Sequence, residues 1–309
     1  MKNIPPQQLR SSSSPPGGDE TVIHVPVLRA DVVRLLSPKM GETYLDLTAG
    51  YGGHASSIIE VIGASCATLV DRDARAIAAL QPYGEAGAHL VQRDFATAAQ
   101  QLADDGQTFD MVLVDLGVSS PQLDMAERGF SLKRDGPLDM RMDESGTRTA
   151  ADIVNHAGEK ELARIIETYG EEPRATAARI AHAIRLHRPL HSTHELAQVI
   201  LSTHRGSYRK IHPATRTFQA IRIALNDELS QIERLMPLLP GLLRQGGRVV
   251  IISFHSLEDR IVKRFFAEHD RAGYEAQLRL LIKKPILGAT YDTTNPRARS
   301  AILRAAVKP

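Results

Sequence analysis

Between Val27 and Asp115 helix-period and strand-like stretches alternate, and then the alternation stops for more than 130 residues, until the strand RVVIIS at 248–253. That interrupted rhythm constrains the fold more than any other feature. VLRADVVRLL (27–36) leads into TYLDL (43–47), a helix from about Gly53 to Ile62, CATLVD (66–71), ARAIAAL (74–80), HLVQ (89–92), FATAAQQLA (95–103) and DMVLVD (110–115). Strands joined through helices run parallel, so the sequence predicts an α/β, doubly wound, Rossmann-like sheet. A structureless connection as long as the one that follows is incompatible with a compact domain, so the gap must fold by itself. It opens with a loop rich in Gly, Ser, Pro and Asp (117–148) and continues with helical patterns at about 159–169, 174–187 and 193–203. One long amphipathic helix is then expected from about Ala214 to Leu239, and closing strands over LRLLIKK (278–284) and SAILRAAV (300–307). The expected organisation is a disordered Ser/Pro/Gly-rich tail at 1–20, a sheet domain from 21–124 and 212–309, and an inserted helical domain at 125–211.

Composition narrows the function classes. No apolar run approaches the roughly 20 residues of a spanning helix, since RVVIISF is bounded by Arg248 and His255. A single cysteine, Cys66, allows no internal disulfide and no cysteine-based zinc site, and the N-terminal stretch lacks the apolar core of a signal peptide. A cytoplasmic location is expected. The net charge is only +2, but it is unevenly spread. Glu171–Arg216 holds eight Lys/Arg against three acids, and Lys283 to the C-terminus holds six against Asp292 alone. Two such segments suggest a polyanion-binding surface, with Arg185, Arg188, Arg209, Lys210 and Arg216 as candidate phosphate contacts. His187, His191 and His194 do not form a metal motif, because Pro189 interrupts the helix that would align them and no carboxylate sits at ligand spacing; no metal is expected.

In an open α/β sheet a ligand binds beyond the carboxyl ends of the strands, at the switch in strand order. The first strand ends in Asp46 and enters LTAGYGGHA, where Gly50, Gly52 and Gly53 let the backbone approach a ligand. The spacing is not G-x-G-x-x-G, and Asp46 would repel a pyrophosphate. A cationic ligand suits it better, and S-adenosylmethionine carries an ammonium and a sulfonium. Asp71, ending the second strand, can accept hydrogen bonds from ribose hydroxyls. Asp94 and Phe95, after the third, stand where an adenine ring would lie.

The blocks HVPVL (24–28), DLTAGYGGH (46–54), DLGVSSPQLDMAERGFSLKRDGPLDMRMD (115–143), HPATRTFQAIRIALNDEL (212–229), ISFHSLEDRIVKRF (252–265) and NPRARSAILR (295–304) resemble the bacterial 16S ribosomal RNA cytosine-N4 methyltransferase family, the H type. The resemblance covers nearly everything after Val22. It implies a class I methyltransferase domain with an inserted helical substrate domain, S-adenosylmethionine as donor, and a cytidine in the decoding region as acceptor, within a small ribosomal subunit or its precursor. Carried over by position, it places donor contacts on Gly52, Gly53, His54, Asp71, Phe95, Asp115 and Gln122. The sequence departs from the family pattern at Leu47, after the acid, at Ala55, after the glycines, and at Pro173, which suits the first turn of an insert helix.

Methylating an exocyclic amine requires freeing a lone pair conjugated with the ring, which acceptors aimed at its N–H groups favour. In DLGVSS the acceptor is Asp115, and Ser119 or Ser120 can assist. Phe130, Phe218 and Phe254 are candidates to stack on a base drawn from its strand. His255 and Glu258 open a helix, where they either cap it or touch substrate. Two other readings stay open: a nicotinamide-dependent oxidoreductase, and a non-catalytic RNA-binding assembly factor that keeps the fold.

Overall fold

The computed structural model describes residues 25–204 and 212–309; the expected tail and the candidate cations Arg209 and Lys210 lie outside the described residues. The strands are β1 (Tyr44–Asp46), β2 (Ala67–Asp71), β3 (His89–Gln92), β4 (Phe109–Asp115), β5 (Leu243–Ser253), β6 (Arg279–Leu280), β7 (Ile286–Leu287) and β8 (Ile302–Val307). They form one sheet in the order 3-2-1-4-5-8-6, with β7 beside β8. The first five run parallel and β8 runs antiparallel to β5. The central strands read as near-continuous apolar runs because both faces are covered. Val112, Val114, Val249 and Ile251 point into one core and Met111, Leu113, Val250 and Ile252 into the other. The LRLLIKK stretch supplies only the short β6.

The helices of the sheet's first half are α1 (Arg29–Leu36), α2 (Gly53–Ile62), α3 (Ala74–Glu85) and α4 (Phe95–Asp104), followed after β4 by the short α5 (Ser120–Asp124). The insert contains α6 (Ala150–His156), α7 (Glu159–Gly170), α8 (Arg174–Leu186), α9 (Thr193–Ser202) and α10 (Thr215–Asn226). Then come α11 (Glu228–Leu235), α12 (Leu239–Leu242), α13 (Ser256–Arg271) and α14 (Gly288–Tyr291). None of the described helices is long and apolar enough to cross a membrane. α6 has no counterpart in the sequence reading. It is short, and a capping box of Thr149 and Asp152 starts it.

The expected long helix needs correction. The insert has its own apolar core, which runs from Phe130 through α6–α9 and takes in Phe218, Ala220 and Ile221 of α10. α10 therefore packs with the insert as far as Asp227. There the expected Ala214–Leu239 helix breaks, because Asp227 adopts a left-handed conformation with φ of 53°. Asn226 fixes the break: its amide donates to the carbonyls of Met140 (2.8 Å) and Arg222 (3.0 Å) and accepts from the Met142 N–H (2.9 Å). Past the break, Ile232 and Leu235 of α11 pack into the sheet domain's core with Ala98 and Leu102 of α4. One amphipathic pattern thus serves two cores, which periodicity alone cannot distinguish from one continuous helix.

Candidate active site

A cleft of about 1080 Å³ lies at the carboxyl edge of the sheet, where β1 and β4 diverge into α2 and α5, and the insert closes its far side. Asp46, Gly50, Tyr51, Gly53, His54, Asp71, Phe95, Asp115, Ser119, Ser120 and Gln122 all line it. Gly52 does not. Its φ is 80°, and a Cβ there would stand 2.8 Å from the Tyr83 ring, so the turn and its packing both require glycine.

Asp46 is 1% exposed and accepts from the Tyr44 hydroxyl at 2.7 Å and the Thr48 N–H at 3.1 Å. Burial pushes its carboxyl up to about 6, against the Tyr44 hydroxyl and the His54 ring, which favour the ionised form. Asp71 accepts from the N–H groups of Gly50 and Asp73, each at 2.8 Å, so it shapes the glycine turn as well as facing the cleft. Burial raises its carboxyl too. Asp94 is a helix cap, accepting from the Thr97 N–H at 3.0 Å, and it leaves Phe95 as the cleft residue of that pair.

At the centre, His54 Nε2 stands 3.6 Å from Asp115 Oδ2. Both ring nitrogens of His54, Asp115 Oδ1 and the Tyr51 hydroxyl are buried without a hydrogen-bond partner. Leaving such a group unpaired costs about 1–3 kcal/mol. Several converging on one cleft mark a place where a ligand completes the hydrogen bonding. The Asp115 backbone N–H is held by Thr48 Oγ1 at 2.6 Å, which ties the ends of β4 and β1 together.

The loop after β4 shows roles the sequence reading missed. Ser119 caps α5 in a box with Gln122, so its oxygen is engaged locally, while Ser120 begins the helix at the cleft wall. The Gln122 amide donates to Asp73 Oδ2 at 3.0 Å, and Arg128 Nη1 donates to the same oxygen at 2.6 Å. Arg128 and Asp73 are 1% and 2% exposed. Arg128 also holds the carbonyls of Arg141 (3.0 Å) and Met142 (3.3 Å). The insert loop is therefore bolted to the start of α3 through one buried ion pair. The signal was present as an arginine inside an otherwise compact loop block, but its partner lies 55 positions away.

At the far end, Arg222 makes two 2.8 Å bonds to both oxygens of Glu228. Glu258 accepts from the Phe254 N–H at 2.7 Å and faces His255 Nε2 at 3.2 Å. Although burial opposes it, the His255 ring and Arg222 hold the Glu258 carboxyl below its usual range. Ligand atoms of Glu228, His255 and Glu258 lie within 4.8 Å of one another, a grouping able to hold a cation. The Glu228 oxygens are already neutralised by Arg222, in an ion pair that ties α10 to α11 beside the start of α13. His255 and Glu258 form a capping box at the start of α13, and both also line the cleft. Phe130, Phe218 and Phe254 line it as well, and Phe130 and Phe218 also pack in the insert core.

The described insert cations have partners within the protein. Arg188 donates to the carbonyls of Val154 (2.6 Å) and Ala157 (2.8 Å), and Arg185 pairs with Glu159 at 2.5 Å. Arg216 lies 3.6 Å from Glu172. Of these, Arg188 is bonded to backbone alone, while Arg185 and Arg216 stay about half exposed beside their acids.

The chain matches the family model described as the MraW methylase family over residues 21–309. It is 48% identical to ribosomal RNA small subunit methyltransferase H of Synechocystis, covering 92% of this chain and 93% of that one. The protein of the same name from Acidobacterium capsulatum is 46% identical, covering 92% and 98%. Among solved structures, a methyltransferase homolog from Pyrococcus horikoshii aligns with a TM-score of 0.40 and 14% identity, over 91% of this chain and 66% of that one.

Proposed function

Because the chain belongs to the MraW methylase family, we propose that it methylates small-subunit ribosomal RNA at the exocyclic N4 of a cytidine in the decoding region, in the small subunit or its precursor. S-adenosylmethionine is the methyl donor. The observation that carries the reading is the set of unpartnered buried polar atoms on Tyr51, His54 and Asp115 beside the glycine turn.

The residues present fit the donor. Asp46 and Asp115 supply negative charge for its ammonium and sulfonium, Asp71 supplies acceptors for ribose hydroxyls, and Phe95 an apolar face for adenine. When bound, the donor supplies the methyl as an electrophile on positive sulfur. The protein's part is to make the amine a nucleophile. Asp115 Oδ1, with no partner of its own, accepts an N–H of the amine and draws its lone pair out of conjugation. Once nitrogen gains the methyl it must lose a proton, which Asp115 can take, and His54 at 3.6 Å lies where it can receive that proton in turn. Ser120 stands beside this path on the cleft wall. Mass spectrometry of 16S rRNA nucleosides from cells with and without the gene is the direct test: N4-methylcytidine should fall in its absence, and an unchanged nucleoside profile would reject the assignment.

Asp46 gives a pH-dependent consequence. An ordinary aspartate titrates near about 3.9, whereas burial places Asp46 at about 6. Between these values the folded chain holds a proton that the unfolded chain has lost, so the burial of Asp46 lowers stability as pH rises through 6. Binding of a cationic donor runs the opposite way, since it favours the ionised carboxylate. Donor affinity measured by calorimetry should therefore rise from about pH 5 to about pH 7 and then level off, and Asp46→Asn should flatten the rise. A wild-type affinity independent of pH over that range would remove Asp46 from donor binding.

A further inference from the structure

The mouth of the cleft carries cations that the rest of the protein does not neutralise. Ser131–Arg134 of the insert loop and Pro296–Ser300 near the C-terminus both line the cleft. Lys133 and Arg299 are exposed, and neither side chain has a hydrogen-bond or ion-pair partner among the described residues. Next to them, Arg134 donates to the carbonyl of Asp124, and Arg297 donates to the carboxylate of the same residue at 2.7 Å. Lys133 and Arg134 of one segment and Arg297 and Arg299 of the other thus share one cleft lining, and Asp124 bonds one arginine from each segment. Farther along the C-terminal segment, by contrast, Arg304 pairs with Asp259 at 2.7 Å, and Lys308 donates to the carbonyls of Pro240 and Leu243.

Given the RNA reading above, on which this rests, we infer that Lys133, Arg134 and Arg299 form the phosphate-binding rim of the cleft. The nucleotide to be methylated must place its base near Asp115, so its own phosphates and those beside it remain at the opening. Charges there keep contact with water and cost little to desolvate, unlike the buried Arg222, whose fork is occupied by Glu228. Lys133 offers a mobile point charge and Arg299 a planar fork suited to phosphate oxygens. The rim joins two segments far apart in sequence; a count of charge along the chain marks the C-terminal one, which holds Arg299, but not the stretch around Lys133, where acids balance the bases.

The test is binding of a single-stranded RNA oligonucleotide containing one cytidine to the full chain, by fluorescence anisotropy over a salt series from about 50 to 200 mM. Each single-strand phosphate contact contributes about 0.7 to the log–log slope. Lys133→Ala with Arg299→Ala should therefore lower the slope by about 1.4 and weaken binding on the order of 25-fold at 0.1 M salt. Donor affinity and melting temperature should stay at wild-type values, and Arg185→Ala should leave the slope unchanged. A double variant with the wild-type slope, or a wild type whose binding ignores salt, overturns the rim. Methyl transfer to 16S rRNA is scored separately: a lowered slope in a chain that transfers no methyl would keep the rim and reject the reaction, and transfer with an unaltered slope would do the reverse.

Discussion

Asp115→Asn is expected to lower the rate of RNA methylation at saturating donor and RNA by about 10²- to 10³-fold, the range for removing a positioned acid–base or electrostatic group. The amide keeps the shape of the carboxylate, and the Asp115 backbone N–H that bonds Thr48 Oγ1 is untouched, so the end of β4 stays in place. What disappears is the charge that accepts the amine's N–H and its proton. One substituted oxygen has no protein partner, so the change strands no other buried group. Melting temperature should accordingly change by little, and donor affinity by less than about tenfold if Asp115 contributes one charge–charge contact among several. Transfer of labelled methyl under single-turnover conditions, beside calorimetry of donor binding, separates the two effects. A rate within about threefold of wild type would leave His54 or Ser120 to do this work and would return Asp115 to donor binding alone.

The carboxyl edge of the sheet was legible because its constraints are local. Strands such as DMVLVD and RVVIIS carry the apolar runs that a doubly covered parallel strand requires, and DMVLVD ends in Asp115 on the cleft lining. Asp46, Asp71 and Asp115 could thus be placed by counting to the ends of strands. Gly52 shows where that method stops: the glycine was visible in sequence, but only the Tyr83 ring pressed against it explains why no side chain fits. The end of α10 was hidden for a similar reason. Asn226 and Asp227 are poor helix residues within a strong amphipathic pattern, and the break becomes definite only through Met140 and Met142, more than 80 positions earlier. Charge was the least legible property. Arg185 and Arg188 look identical in sequence to free surface arginines, yet they meet Glu159 and the carbonyls closing α6.

Arg128→Ala should produce the largest loss of stability, about 3–5 kcal/mol, because it removes one member of a fully buried ion pair and leaves the other charge without it. Asp73 would keep only the Gln122 amide on Oδ2 and the Arg75 N–H on Oδ1, and the carbonyls of Arg141 and Met142 would lose their donor. Since the insert has an apolar core separate from those flanking the sheet, the damage should fall first on the junction. Hydrogen exchange should accelerate over 126–142 before it does in the central strands. Gln122 and Ser119 belong to the same junction, so methyl transfer should fall as well, although Arg128 touches none of the reacting atoms. Pairing Arg128→Met with Asp73→Asn removes both charges while the asparagine still caps α3, and it should recover part of the stability. Denaturant unfolding of wild type, Arg128→Met, Asp73→Asn and the double variant measures the coupling directly. If Arg128→Ala costs less than about 1 kcal/mol, the loop is held mainly by Phe130, Leu138 and Met140 packing into the insert core, and the ion pair fixes position without supplying much of the binding.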